Sequence, residues 1–188
     1  MDLEMTGLNP FRHGVIEVGM MVLDDQFEIL GQFLMDLCPP EDIAIDQSAL
    51  DYNWFTLDRI AAGRSYEEFC DVFVGFIATY FVPWKKPIMI GQYVTADITF
   101  LSSIFDRARR AVIMEMLGND IIDTKSIANQ ANAIARYNKI KLPFESTSLS
   151  KPGWIADVLH IEAFKAHSAQ GDMTATREAL LKFLHFKR

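Results

Sequence analysis

Two helical stretches of this chain each set an aspartate at the head of an apolar stripe, so the fold must either cap a helix with it or bury a charge. Below Asp97 lie Leu101, Ile104, Phe105 and Ala108, at i+4, i+7, i+8 and i+11. Below Asp172 lie Ala175, Ala179 and Phe183, at i+3, i+7 and i+11. Near the start, Asp2 and Glu4 flank Leu3 in a stretch that reads as a strand, where period two sends both carboxylates to one face. Asp is favoured at helix starts, so an N-cap is the alternative reading of Asp97 and Asp172. Read inward, the four carboxylates gather in one place, where they repel each other and burial penalises every charge. Cations resolve that conflict. An all-oxygen donor set suits Mg²⁺ or Mn²⁺, not zinc.

The rest of the chain reads as a mixed α/β fold in one domain over residues 1–188. Val15 to Leu23 is an apolar strand broken by Glu17 and Gly19, Asp24-Asp25 is a turn, and Phe27 to Leu37 is the returning strand. Pro39-Pro40 opens a loop. Phe69, Val72, Phe73, Phe76, Ile77 and Tyr80 recur at helical spacing over Tyr66 to Phe81. Short strands at Pro87 to Gly91 and Asn119 to Asp123 each precede a helix, about Asp97 to Arg110 and from Thr124. Helices are expected over Ser148 to Leu159 and Asp172 to Phe186.

The formal net charge is −7, which excludes a protein that holds long duplexes by charge alone. An acidic chain must grip nucleic acid locally, through metal ions, stacking and a few cations. Cys38 and Cys70 form no CxxC pair, so a reducing, cytoplasmic setting without disulfides is expected. No signal peptide is evident and no apolar run is long enough for a bilayer, so no membrane partner is expected. The four histidines, His13, His160, His167 and His185, show no zinc-binding spacing. His167, in Ala-His-Ser-Ala-Gln-Gly-Asp, sits among small residues just before Asp172. A lone His is ordinarily structural. Beside metal-activated water, however, imidazole is the natural general base near neutral pH.

Taken together these residues resemble the DEDDh family of 3′→5′ exonucleases in the ribonuclease H-like superfamily. The first motif is Asp2-Leu3-Glu4-Met5-Thr6-Gly7, followed by the strand Val15-Ile16-Glu17-Val18-Gly19. The second is Ile90-Gly91-Gln92 leading to Asp97 and Phe100-Leu101, and the third is His167, Ala169 and Asp172. Each is common alone; in this order, from residue 2 to about 185, they are specific. The resemblance implies a mixed five-stranded sheet flanked by helices. It implies release of nucleoside 5′-monophosphates from short or single-stranded oligonucleotides. Asp2, Glu4, Asp97 and Asp172 would hold two Mg²⁺ or Mn²⁺ ions, with His167 as general base completing the catalytic set.

Substrate contacts are expected from Leu3, Met5, the Thr6-Gly7 backbone, Asn53 and Trp54, with Trp54 and Phe55 as stacking candidates. Core packing is the favoured alternative for Leu3, Met5 and Phe55. Arg107, Arg109 and Arg110 read as a solvated helix face, and Asp123 as a helix cap. The first motif is similar to oligoribonucleases, which favours short RNA and permits a homodimer. The third is closer to ribonuclease T and proofreading enzymes, which makes a DNA exonuclease the alternative. A catalytically weak interaction module is the reading from another class. Two features depart from the family. Gln92-Tyr93 stand where many members carry His-Asn or Gly-Asn. Met1 alone precedes Asp2, so the first strand is expected to be clipped, to fray and to hold ions loosely.

Overall fold

The computed structural model of the chain describes residues 1–149 and 153–185, and the strands come first in it. β1 (Asp2–Met5), β2 (Val15–Leu23) and β3 (Ile29–Asp36) form an antiparallel sheet in the order β1-β2-β3. The β2–β3 turn is set by Asp24, whose carboxylate accepts the Gln26 and Glu28 N–H groups. Two short helices follow, α1 (Gln47–Asn53) and α2 (Leu57–Ala61), then α3 (Tyr66–Tyr80). A capping box starts α3: Ser65 accepts the Glu68 N–H while the Glu68 carboxylate accepts the Ser65 N–H. β4 (Met89–Gly91), α4 (Val94–Arg107), a 3₁₀ turn (Ala111–Met116) and β5 (Ile121–Asp123) come next. α5 (Thr124–Tyr137), α6 (Ile155–Val158) and α7 (Ala169–Leu184) complete the described elements. β4 and β5 pair in parallel, with α4 within the connection that parallel pairing requires.

The mixed α/β class and the five strands agree with the expectation from sequence. The helix expected over Ser148 to Leu159 is confined to α6, with residues 150–152 outside the described set, as is Phe186 at the end of the last helix. The five strands are hydrogen-bonded as a sheet of three and a pair, not as one continuous sheet. β1 pairs with β2 from Asp2↔Gly19 to Met5↔Val15, and among the described residues Met20 to Leu23 of β2 pair only with β3. A cavity of about 520 Å³ lies beyond that short ladder, lined by Met20, Val22, Ile77, Met89 and Met173 among others. The start of β1 is nevertheless tied down: the Met1 nitrogen donates to Ile90 O at 2.7 Å, and Leu3 N–H donates to Asp97 Oδ1 at 3.2 Å.

Alternation sorts the faces of β1 and β2. Leu3, Val18 and Met20 enter the main core with Phe69 and Phe73 of α3 and Leu101, Ile104 and Phe105 of α4. Asp2 and Glu4 point to the other face. Their partners across the ladder are Gly19 and Glu17, and the head of α7 covers them. A second cluster, with Ala128, Phe144, Ile155, Ala175 and Ala179, packs α5, α6 and α7 together. A glycine eases the close approach of α7: a Cβ on Gly19 would lie 3.1 Å from the Ala169 backbone, a tight contact.

Candidate active site

The strand pleat, α4 and α7 bring the four carboxylates to one place. Asp2, Glu4 and Asp172 each offer an oxygen, and these oxygens lie within 4.8 Å of one another. Asp97 joins them from α4, buried and accepting the Leu3 N–H. Neither helix aspartate is the cap. Tyr93, in a left-handed conformation, occupies the N-cap position of α4, and Ser168 caps α7 by accepting from the Gly171 N–H. Asp172 instead turns back to accept the His167 N–H at 2.7 Å. The His167 backbone is left-handed (φ 62°), and its ring lies 3.8 Å from that of Tyr52, centroid to centroid.

Gathering acids in a partly dry place makes them hold their protons. Burial first, then Asp97, Asp172 and Glu4, lifts Asp2 well above the usual carboxylate range. Burial, Asp172, Glu17 and Asp97 push Glu4 up to about 8, against the pull of Arg59. Burial carries Asp97 to about 7, opposed by the Met1 ammonium and the Leu3 N–H. Burial also raises Asp172, opposed by the His167 N–H. An all-oxygen cluster that resists ionisation on its own fits hard divalent cations, whose charge offsets the repulsion.

A sign follows for stability. A carboxyl whose folded pKa exceeds its unfolded value binds more protons when folded, so its contribution to stability declines as pH rises between the two. For Glu4 that window runs from the ordinary range up to about 8. In metal-free buffer, Glu4→Gln is therefore expected to gain in melting temperature relative to the parent as pH rises from about 5 to about 8. Thermal melts across that range test it. A difference that stays flat would show that Glu4 ionises freely in the folded chain.

Several residues expected to contact substrate also hold the scaffold together. Leu3 is 4% exposed and belongs to the main core, so its side chain is no wedge for a base. Thr6 is fully buried, its hydroxyl bonded to Ala44 O and the Gly14 N–H, while its own N–H and C=O are engaged by Gly14 and Asp46. Gly7 makes room for the His13 ring, which lies 2.6 Å from where a Cβ on Gly7 would be. Asn53 is buried and donates to Met5 O at 3.1 Å, tying α1 to β1, and Met5 packs half-buried against the core. Trp54 alone of this set is largely exposed, at 69%. Phe55 is buried beneath the Arg59 guanidinium, in line with core packing.

Of the family departures, Gln92 is scaffolding: it donates to Thr147 O and accepts from the Thr124 hydroxyl. Tyr93 is exposed, with the Lys125 ammonium 4.0 Å from its ring centroid. Asp123 caps α5, as expected, and also receives the Tyr93 N–H. Arg107 and Arg110 pair with Asp42 and Asp71 on the surface. Sequence reasoning passed over Tyr52 and Glu17. The signal for Glu17 was present, a carboxylate interrupting an apolar strand.

An antiparallel sheet with an Asp-x-Glu on its first strand, beside a parallel strand pair and met by carboxylates from two helices, defines a ribonuclease H-like fold. Comparisons with known proteins agree. A sequence model of the exonuclease family (RNase_T) matches residues 1–180, and the chain belongs to that family. A PolC-type DNA polymerase III from Thermotoga petrophila is 24% identical over 192 residues, all of this chain and 12% of the polymerase. Escherichia coli exonuclease I in complex with a dA16 oligonucleotide superposes with a TM-score of 0.72 at 20% identity, over 97% of this chain and 39% of that one. The zinc-bound exonuclease I complex with single-stranded DNA gives a TM-score of 0.74 at 19% identity, with the same coverage. This chain thus spans well under half the length of these relatives. No helix among the described residues is long and apolar enough to cross a membrane.

Proposed function

We propose that residues 1–188 act as one metal-dependent 3′→5′ exonuclease unit that trims single-stranded oligonucleotides to nucleoside 5′-monophosphates. The observation that carries this reading is the meeting of three carboxylate oxygens from Asp2, Glu4 and Asp172 within 4.8 Å, beside the buried Asp97. These four residues would hold two divalent ions, Mg²⁺ or Mn²⁺. When bound, the ions offset phosphate charge and acidify the attacking water. His167, on the loop just before α7, takes the proton of that water as its oxygen bonds to phosphorus. The bond from phosphorus to the 3′-oxygen then breaks, and that oxygen leaves with a proton from solvent. Trp54 and Tyr93, both exposed, offer faces on which bases can stack irrespective of sequence.

The first motif favours RNA, but the relatives described above carry names of DNA enzymes. Single-stranded DNA is therefore the first substrate to test, with a matched RNA strand in competition. The expected result is loss of mononucleotides from the 3′ end of a 5′-labelled strand, dependent on Mg²⁺ or Mn²⁺ and abolished by EDTA. Cuts within a circular single strand, or full activity in EDTA, would overturn the reading.

A further inference from the structure

Glu17 lies on the carboxylate face of the sheet, yet it has no part in the chemistry above. It is directly opposite Glu4 in the β1–β2 ladder and only 2% exposed. A buried charge beside other acids calls for partners, and Glu17 has two. One carboxylate oxygen accepts the Arg59 guanidinium at 2.5 Å. The other accepts the Ala169 N–H at 2.7 Å. Ala169 is the first residue of α7, and N–H groups of a first helical turn have no acceptor within their own helix. A carboxylate there also meets the positive end of the helix dipole. Ala169 stands two residues after His167 and three before Asp172, so whatever fixes Ala169 sets both.

Arg59 is itself immobilised. It donates to both oxygens of Asp36, at 2.6 and 2.7 Å, and lies 3.7 Å over the Phe55 ring. Gly19, two residues along β2 and opposite Asp2, lets the same turn of α7 close down on the sheet. The two β2 residues that face the strand acids are thus the two that seat the head of α7.

We propose that Glu17, braced by Arg59, is a positioning residue that holds His167 and Asp172 against Asp2 and Glu4. This inference rests on the functional reading above and deepens it. A displacement of about 1 Å in a reacting group can cost about 10²-fold in rate. Removing the anchor should therefore act on turnover more than on substrate affinity.

The experiment compares the parent, Glu17→Ala and Glu17→Gln in steady-state kinetics and in residue-resolved amide hydrogen exchange. Glu17→Ala is expected to lower kcat by about 100-fold with KM within about 3-fold. The Ala169 amide should exchange at least about tenfold faster, while core amides of α3 and α4 keep their protection. Glu17→Gln retains an acceptor for the Ala169 N–H, and should restore most of that protection and much of the rate. Equal acceleration of the Ala169 and core amides in Glu17→Ala would reduce Glu17 to a stability residue and overturn the proposal. So would an unchanged kcat, or an Ala169 amide as protected as in the parent. An inactive parent would instead defeat the functional reading, and the exchange data would still decide whether Glu17 seats α7.

Discussion

Asp97→Asn is expected to remove activity while making the metal-free protein more heat-stable. The asparagine Oδ1 can still accept the Leu3 N–H, so the link between α4 and β1 survives. What disappears is a buried charge whose pKa burial lifts to about 7, and whose ionisation above that pH costs the folded state. At about pH 8 the variant should therefore melt higher without metal, by about 2–4 °C for each kcal/mol recovered in a chain of this size. Turnover should fall by roughly 10³-fold, the upper range for removing one preorganised electrostatic group. The stabilisation conferred by Mn²⁺ should shrink, because a ligand stabilises by binding the folded state and one donor is lost. Melts with and without Mn²⁺ check all but the rate. Equal Mn²⁺ stabilisation in parent and variant would show that Asp97 is not a ligand. A lower metal-free melting temperature would show that its charge supports the fold.

The second large effect belongs to His167. His167→Ala should cost about 100-fold in kcat, the usual scale for a positioned general base. The melting temperature should move little, because His167 lies outside α7 and only half-buried. Its backbone is left-handed, where alanine is strained, so His167→Asn is the better-matched control. Both variants should lose rate to a similar degree, since neither can take a proton near neutral pH. Asparagine retaining more than about a third of the parental rate would assign His167 to loop geometry, not to proton transfer.

The acids were legible because they violate a pattern. Asp97 and Asp172 interrupt stripes that would otherwise be apolar, and periodicity exposes such violations. The long elements were legible for the same reason: α3 repeats its aromatic spacing over 15 residues, and seven of the nine residues of β2 are apolar. α1 and α2 were not, because helices of seven and five residues span too few turns to show a period. The scaffold contacts of Thr6 and Gly7 were not legible in the motif. Their neighbours Ala44 and His13 come from the following loops, and no local pattern announces those contacts. Glu17 shows the same limit. Its oddity in an apolar strand was visible, but its partners are 42 and 152 residues away.

Asp2 is made 170 residues before Asp172. A growing chain is tethered to its own messenger, a single-stranded nucleic acid. Until α7 emerges and docks on β2, the nascent polypeptide carries dispersed acids that cannot close a metal-binding cluster. Synthesis order thus keeps the carboxylate cluster open until α7 has been made, because domains acquire their packed state as units.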